Sequence, residues 1–443
     1  MSTWRPSRRE LLTAGAAALL PMASRSQAPV PAATTGAFPA GFLWGAATAG
    51  HQVEGNDVNS DVWLLENVTP TVFGERAGDA CDSLHRWQQD LDLVHAIGLN
   101  CYRFSLEWSR IEPDEGHFSA AMLAYYGAII AGCRERGLTP VVTFNHFTAP
   151  RWFAAAGGWE VEAGADRFAR YCEHTARVLA RDIGYATTLN EPNALRLLPW
   201  LNLPFPADFK SKQDGMLKAA ARACGTQRFA PFIATDADKM LPVTIAAHAR
   251  GYEAIKSVRP NLPVGVSLAI VDDQAVGPDS RRDEKRRDVY GAWLQECRQH
   301  ADFIGVQNYT RQRLDAHGPM PAPADAERGQ TGDEIYPDSL EGAVRYVYKA
   351  SGKPVLVTEN GIATADDARR AAYIPQVLAG LQRAVRSGIP VLGYIHWSLL
   401  DNFEWVFGYG PKFGLVAVDR ETQARTSKPS AAVFGSIARR NSL

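Results

Sequence analysis

Three observations predict an α/β fold built as a single (β/α)8 TIM barrel with long loops at its C-terminal face. Eight short apolar segments punctuate the chain, at 42–48, 100–106, 139–145, 185–191, 263–270, 303–310, 354–360 and 391–398. Helix-patterned sequence separates them. Polar side chains gather at the ends of these segments, as they would where barrel strands open onto one rim. A doubly wound sheet is the main rival, but no Gly-x-Gly-x-x-Gly turn follows the first segment. With 443 residues the chain has room for one barrel of ~250 residues plus insertions. It shows no internal repeat and no second domain.

Composition narrows the function. Hydrophobic residues make up 46%, enough for a large core, and 47 basic against 48 acidic residues leave no field for nucleic acid or an acidic membrane. Eleven Trp and fourteen Tyr suit a core, and equally the apolar faces of sugar rings.

The N-terminus reads as a targeting segment. Ser7-Arg8-Arg9-Glu10-Leu11-Leu12 leads into an apolar stretch at 11–20 and a small-residue region ending at Ser26-Gln27-Ala28. Residues 1–28 thus have the form of a twin-arginine signal peptide, too short in its apolar part to span a membrane. Removal near Ala28 would leave a periplasmic or secreted protein without a stable membrane anchor. Residues 29–37 are a Pro/Ala/Thr tether, and 38–443 are the barrel domain. Cysteines 81, 101, 133, 172, 224 and 297 show no Cys-x-x-Cys spacing, so buried free thiols are expected rather than a zinc or redox site. An exported protein can form a disulfide, but the spacing indicates none.

Amphipathic stripes mark the helices. Ser119 can cap one that ends at Gly137, with Tyr126, Ile129, Ile130 and Cys133 on a single face. Phe168, Tyr171, Cys172, Thr175, Val178 and Leu179 form a second stripe, and Ile374, Val377, Leu378, Leu381 and Val385 another. Pro242 fits the first turn of a helix carrying Ile245, Ala249 and Tyr252. Two proline-bearing excursions, 195–241 and 311–337, read as irregular loops around the barrel mouth. The charged run 281–288 reads as a solvated helix face.

Chemistry collects at the segment ends. Pro354-Val355-Leu356-Val357-Thr358-Glu359-Asn360-Gly361 is a buried-strand pattern that stops at a carboxylate, with a glycine to allow a sharp exit turn. Tyr185-Ala186-Thr187-Thr188-Leu189-Asn190-Glu191-Pro192 repeats the form. A charge at the end of a buried strand needs a use or a partner, and two such strands suggest a two-carboxylate site. The other ends carry His51-Gln52-Val53-Glu54-Gly55, Tyr102-Arg103-Phe104-Ser105, Phe144-Asn145-His146-Phe147, Gln307-Asn308-Tyr309-Thr310 and His396-Trp397-Ser398, then Asp401-Asn402-Phe403-Glu404-Trp405. Amides, imidazole, indoles and carboxylates around one mouth suit a neutral polyhydroxylated ligand. Two carboxylates acting on a sugar acetal can supply an acid and a nucleophile, so neither metal nor cofactor is needed.

Taken in order over 38–436, these stretches resemble glycoside hydrolase family 1, the β-glucosidase family. The resemblance implies a retaining double displacement on an unphosphorylated, non-reducing terminal β-D-glycosyl unit of a small β-glycoside. It implies Glu191 as acid/base and Glu359 as nucleophile, with Arg103 and Tyr309 holding Glu359 ionised and Asn190 on the sugar 2-hydroxyl. Gln52, His146, Glu404 and Trp405 match glycone contacts, Trp397 the platform under the ring, and Phe413 the aromatic near the sugar's C6 end. Glu191 is an intact acid, unlike the Gln of the thioglucosidase branch. Glu404-Trp405 favours an unmodified C4/C6 end over a 6-phosphosugar. The chain departs from the family pattern at Gln307-Asn308, at Lys412 where Arg is usual, and after Asn193, so the leaving-group side diverges. A transglycosidase on the same scaffold and a non-catalytic sugar-binding protein are the alternative readings.

Overall fold

The eight apolar segments become strands because they bury side chains on both faces. In the computed structural model, which describes residues 36–201 and 206–443, they are β1 (Leu43–Ala47), β2 (Cys101–Ser105), β3 (Thr139–Asn145), β4 (Tyr185–Asn190), β5 (Val264–Ala269), β6 (Phe303–Gln307), β7 (Val355–Asn360) and β8 (Val391–Trp397). Nearly every residue in them is buried, inward against the barrel centre and outward against helices. Each strand pairs in parallel with the next, and β8 closes on β1 with Trp44 beside Tyr394. Closure leaves no free edge among these strands. Small residues permit the close spacing; a Cβ on Gly393 would lie 2.4 Å from the Leu43 Cβ.

Two irregularities matter for function. The register shifts between Thr187 and Asn190 where β4 meets β5, and just after Val357 where β7 meets both neighbours. Such shifts re-aim the side chains that follow, and these precede Glu191 and Glu359.

The helices follow the predicted stripes, with corrections. Ser119 caps helix Ala120–Glu135 by accepting from the Met122 amide, and Gly137 follows in a left-handed conformation at φ 69°. Val178 does not join its stripe, since it is 53% exposed on helix Ala163–Leu179. Pro242 is not in a first turn. Asp236 caps the helix at the amides of Asp238 and Lys239, so Ala237–Val258 begins five residues before the proline. A strong side-chain cap outweighs the single helical hydrogen bond that Pro242 removes.

Both excursions carry structure rather than irregular loop. The first holds helix Phe209–Ala223, whose Met216 and Ala220 share a satellite core with Val62, Leu65 and Phe403. The second contributes Arg311–Asp315 and Gly318–Pro319, which join Asp272–Ala275 in a small three-stranded sheet. The charged run 281–288 is only partly solvated: Lys285 is fully buried and its Nζ lies 2.5 Å from Asp273. Five of the six cysteines are buried and all six are free.

The signal segment 1–28 and tether residues 29–35 lie outside the described residues. At the tether's end, the Gly36 carbonyl accepts from Gln382 at 2.8 Å and Ala37 bridges to Ser442. Among the described residues no helix is long and apolar enough to cross a membrane.

Candidate active site

Glu359 stands next to last in β7 with both oxygens engaged. Arg103, fully buried on β2, donates from Nη1 to Oε1 at 2.6 Å, and the Tyr309 hydroxyl donates to Oε2 at 2.6 Å. The same guanidinium donates from Nη2 to Asn190 Oδ1 at 2.6 Å and from Nε to the Thr143 hydroxyl at 3.1 Å. Arg103 therefore holds the ends of β7 and β4 in one frame. Gln307 adds a third tie, donating to Asn190 Oδ1 at 2.8 Å, and it helps to lower the Glu359 pKa. Its neighbour Asn308 faces away, donating to the Ile270 and Thr310 carbonyls. The departure at Gln307 thus sits inside the carboxylate network.

Glu191 follows β4 in a left-handed backbone conformation at φ 44°. Its amide donates to the Ser267 carbonyl at 2.8 Å, and Asn193 exchanges two hydrogen bonds with the Ala269 backbone on β5. Phe147 and Trp405, also on the cavity wall, have φ of 70° and 50°. Three non-glycine residues in this sparse region around one cavity mark a site whose geometry the surroundings enforce.

Gly361 has a different reason from the expected turn. It is not left-handed; instead a Cβ there would lie 2.1 Å from the Trp397 carbonyl oxygen. The glycine lets β8 approach β7 where Trp397 stands.

The cavity holds about 330 Å³ and brings together His146, Asn190, Glu191, Tyr309, Glu359, Trp397, Glu404, Trp405 and Phe413. Of the predicted site residues, Gln52 and Arg103 form its supporting layer. Gln52 donates to the Phe403 carbonyl at 2.7 Å and to Asn402 at 3.2 Å, which docks the β1 loop on the loop after β8. Its Oε1 is buried without a hydrogen-bond partner among the described residues, as is His146 Nδ1. Asn190 Nδ2 lies 3.1 Å from His146 Nε2. Phe413 meets the Tyr309 ring edge-on, centroids 5.9 Å apart.

Sequence reasoning missed His51. Its ring stacks on Trp405 (5.8 Å, 7°), Trp405 lies parallel to His146 (6.2 Å, 14°), and His146 to Trp397 (5.8 Å, 22°). His51 Nε2 is 2.8 Å from Glu66. Its position beside Gln52 was the available signal.

Electrostatics separates the two carboxyls. Burial raises both, since desolvation disfavours the charged form. Glu191 is pushed well above the ordinary range, and the charge of Glu359 adds to the rise. Glu359 rises less, because Arg103 and the Tyr309 hydrogen bond work against burial. Arg103 and Tyr309 thus act in the expected direction and offset part of the desolvation. Glu404 is raised to about 8, by burial first and Glu359 second. Burial and the Arg103 charge hold His146 neutral.

The family model described as glycosyl hydrolase family 1 matches residues 34–315 and 292–443. The chain belongs to glycosyl hydrolase family 1. It is an O-glycosyl hydrolase. A solved structure titled β-glycosidase BGL167 is 48% identical, covers 92% of this chain and 98% of its own, and superposes with a TM-score of 0.86. Another, titled an apo β-glucosidase 1317, is 46% identical over 90% of this chain and 98% of its own, at TM-score 0.87. β-Glucosidase A of Thermotoga maritima is 31% identical, covering 92% of this chain and 98% of itself. Within this family-1 barrel, the two carboxyls, the neutral imidazole and the indole wall occupy the C-terminal rim, as in barrel enzymes generally.

Proposed function

We propose that this family-1 enzyme is a retaining β-glycosidase of the β-glucosidase type, acting on a non-reducing terminal, unphosphorylated β-D-glucosyl unit. One observation carries the assignment of roles. The oxygens of Glu359 are held separately by Arg103 and Tyr309 at 2.6 Å each, while Glu191, on the same cavity, accepts no such donor in the described structure. A carboxylate clamped by a cation and a hydroxyl suits a nucleophile, and an unclamped acid with a strongly raised pKa suits a proton donor.

In the proposed mechanism, a Glu359 oxygen attacks the anomeric carbon as the glycosidic bond breaks, and the Glu191 proton passes to the leaving oxygen. Bonding of Glu359 to sugar removes its negative charge, which lowers the pKa of Glu191. Glu191 then takes a proton from water, the water oxygen bonds to the anomeric carbon, and Glu359 is released. Asn190, with Oδ1 occupied by Arg103 and Gln307, has Nδ2 to offer the 2-hydroxyl. Gln52 Oε1 and neutral His146 Nδ1 are buried polar groups that sugar hydroxyls can satisfy. Trp397 supplies the apolar platform. The β-glucosidase names of the relatives support glucose as glycone.

Aryl β-glycosides of the gluco, galacto, fuco, manno and xylo series, with products resolved, test this reading. The highest kcat/KM is expected for the glucoside, with β-glucose as the first product. α-Glucose as first product would exclude retention.

We also propose that residues 1–28 direct export by a twin-arginine route. The Arg8-Arg9 pair before an apolar stretch supports it. Replacing both arginines by lysine should keep the enzyme in the cytoplasmic fraction.

A further inference from the structure

Beyond the catalytic cavity lies a cleft of about 400 Å³ that shares Thr310, Thr331 and Asp333 with it. The small sheet of the second excursion forms its wall. Arg311 and Arg313 alternate along strand Arg311–Asp315 and so project from one face. Arg328 lines the same cleft.

Their charges are not equally spent. Arg311 is neutralised by a two-pronged contact with Glu334 at 2.7 and 3.1 Å and lies over the Tyr336 ring. Arg313 and Arg328 touch only backbone carbonyls, those of Pro321 at 3.0 Å and Gly332 at 3.1 Å. Neither has an ion-pair partner among the described residues. Each guanidinium has five N–H donors, so most remain free and arranged for a carboxylate. Asp333, at the boundary between cavity and cleft, accepts from the Thr331 hydroxyl at 2.8 Å. That pair suits sugar hydroxyls on the way to the arginines.

Resting on the β-glucosidase reading above, we infer that this cleft selects leaving groups bearing a carboxylate beyond the first sugar carbons, such as the aldonate half of a glucosyl aldonate. The departing hydroxy acid lies across Thr331 and Asp333 with its carboxylate between Arg313 and Arg328. Bond cleavage and proton transfers are those of the ordinary hydrolysis.

The test compares β-D-glucosyl-(1→4)-D-gluconate with cellobiitol, which has the same open chain without the charge. At low ionic strength kcat/KM is expected to favour the gluconate by roughly 3–10-fold, the scale of two exposed ion pairs. The preference should fall toward unity in ~0.5 M salt, where charges are screened within a few ångströms. It should also disappear in the Arg313→Ala/Arg328→Ala double variant, with a thermal midpoint near wild type as the check on folding. Equal kcat/KM for the two substrates in the wild-type enzyme, or a preference that survives the double substitution, overturns the anionic cleft and leaves the β-glucosidase reading standing. Failure to cleave either substrate or an aryl β-glucoside overturns both.

Discussion

The Tyr309 hydroxyl donates to Glu359 Oε2 at 2.6 Å, on the oxygen opposite the one held by Arg103. That bond favours the ionised carboxyl, the state that the proposed nucleophilic role of Glu359 requires. Tyr309→Phe removes it, so the Glu359 pKa rises further. The acidic limb of the kcat/KM–pH profile is expected to move up by about one unit, the worth of a hydrogen bond to a charge. An acidic limb that stays in place would separate Tyr309 from the ionisation of Glu359.

Glu359→Ala should lower turnover of an aryl β-glucoside by at least ~10³-fold, as expected for losing a group that reacts covalently. Azide added to the variant can enter the space and attack the anomeric carbon directly. The product is then the α-glycosyl azide, identifiable by NMR. Near-wild-type turnover in the variant would refute the nucleophile assignment.

Glu191→Ala should discriminate by leaving group. A glucoside with a poor leaving group needs its oxygen protonated as the bond breaks and is expected to slow by roughly 10²–10⁴-fold. A 2,4-dinitrophenyl glucoside needs little protonation and should lose far less in its glycosylation step. Equal losses in single-turnover measurements would point to a different acid.

Lys285 and Asp273 form a fully buried pair at 2.5 Å, with Arg286 at 3.8 Å from the other oxygen. Lys285→Met leaves a buried carboxylate poorly compensated and should destabilise by about 3 kcal/mol, the low end for such a break because Arg286 remains. Adding Asp273→Asn should recover much of the loss. Denaturant melts of the single and double variants measure both.

Asp61 is buried, and burial raises its carboxyl to about 7, although the Val62 and Ala149 amides donate to Oδ1 at 2.8 and 2.9 Å. The folded state keeps this proton where the unfolded chain, at the ordinary value of ~3.9, has lost it. The stabilising contribution is complete below pH ~4 and is lost as pH rises toward 7, up to about 4 kcal/mol in all. Asp61→Asn keeps the accepting oxygen without the titration. Its thermal midpoint should fall less than wild type between pH 5 and 8, and parallel curves would rule the effect out.

Much of this architecture was legible because the barrel writes itself locally. All eight strands lie within a few residues of their predicted limits, since burial on both faces demands continuous apolar runs. The polar ends were legible for the converse reason: Glu191 and Glu359 interrupt patterns that otherwise exclude charge. Pro242 misled because its helix start depends on Asp236, a cap outside the apolar stripe. Lys285 misled because its partner Asp273 lies in a different element.

By itself, then, the sequence determined the barrel and the two strand-end carboxylates, which follow from periodicity and from charges placed where burial forbids them, while the sugar-contact roles rest on the family resemblance. Tertiary structure decided what each carboxyl is worth chemically. Arg103 and Tyr309 come from stretches some two hundred residues apart, about half the chain, and only closure of the barrel brings them onto Glu359 while leaving Glu191 without a cation of its own. It also decided that Gly361 serves packing against Trp397, and that His51 stands behind Trp405. Desolvation and hydrogen bonding depend on distances in three dimensions, and no local pattern encodes those.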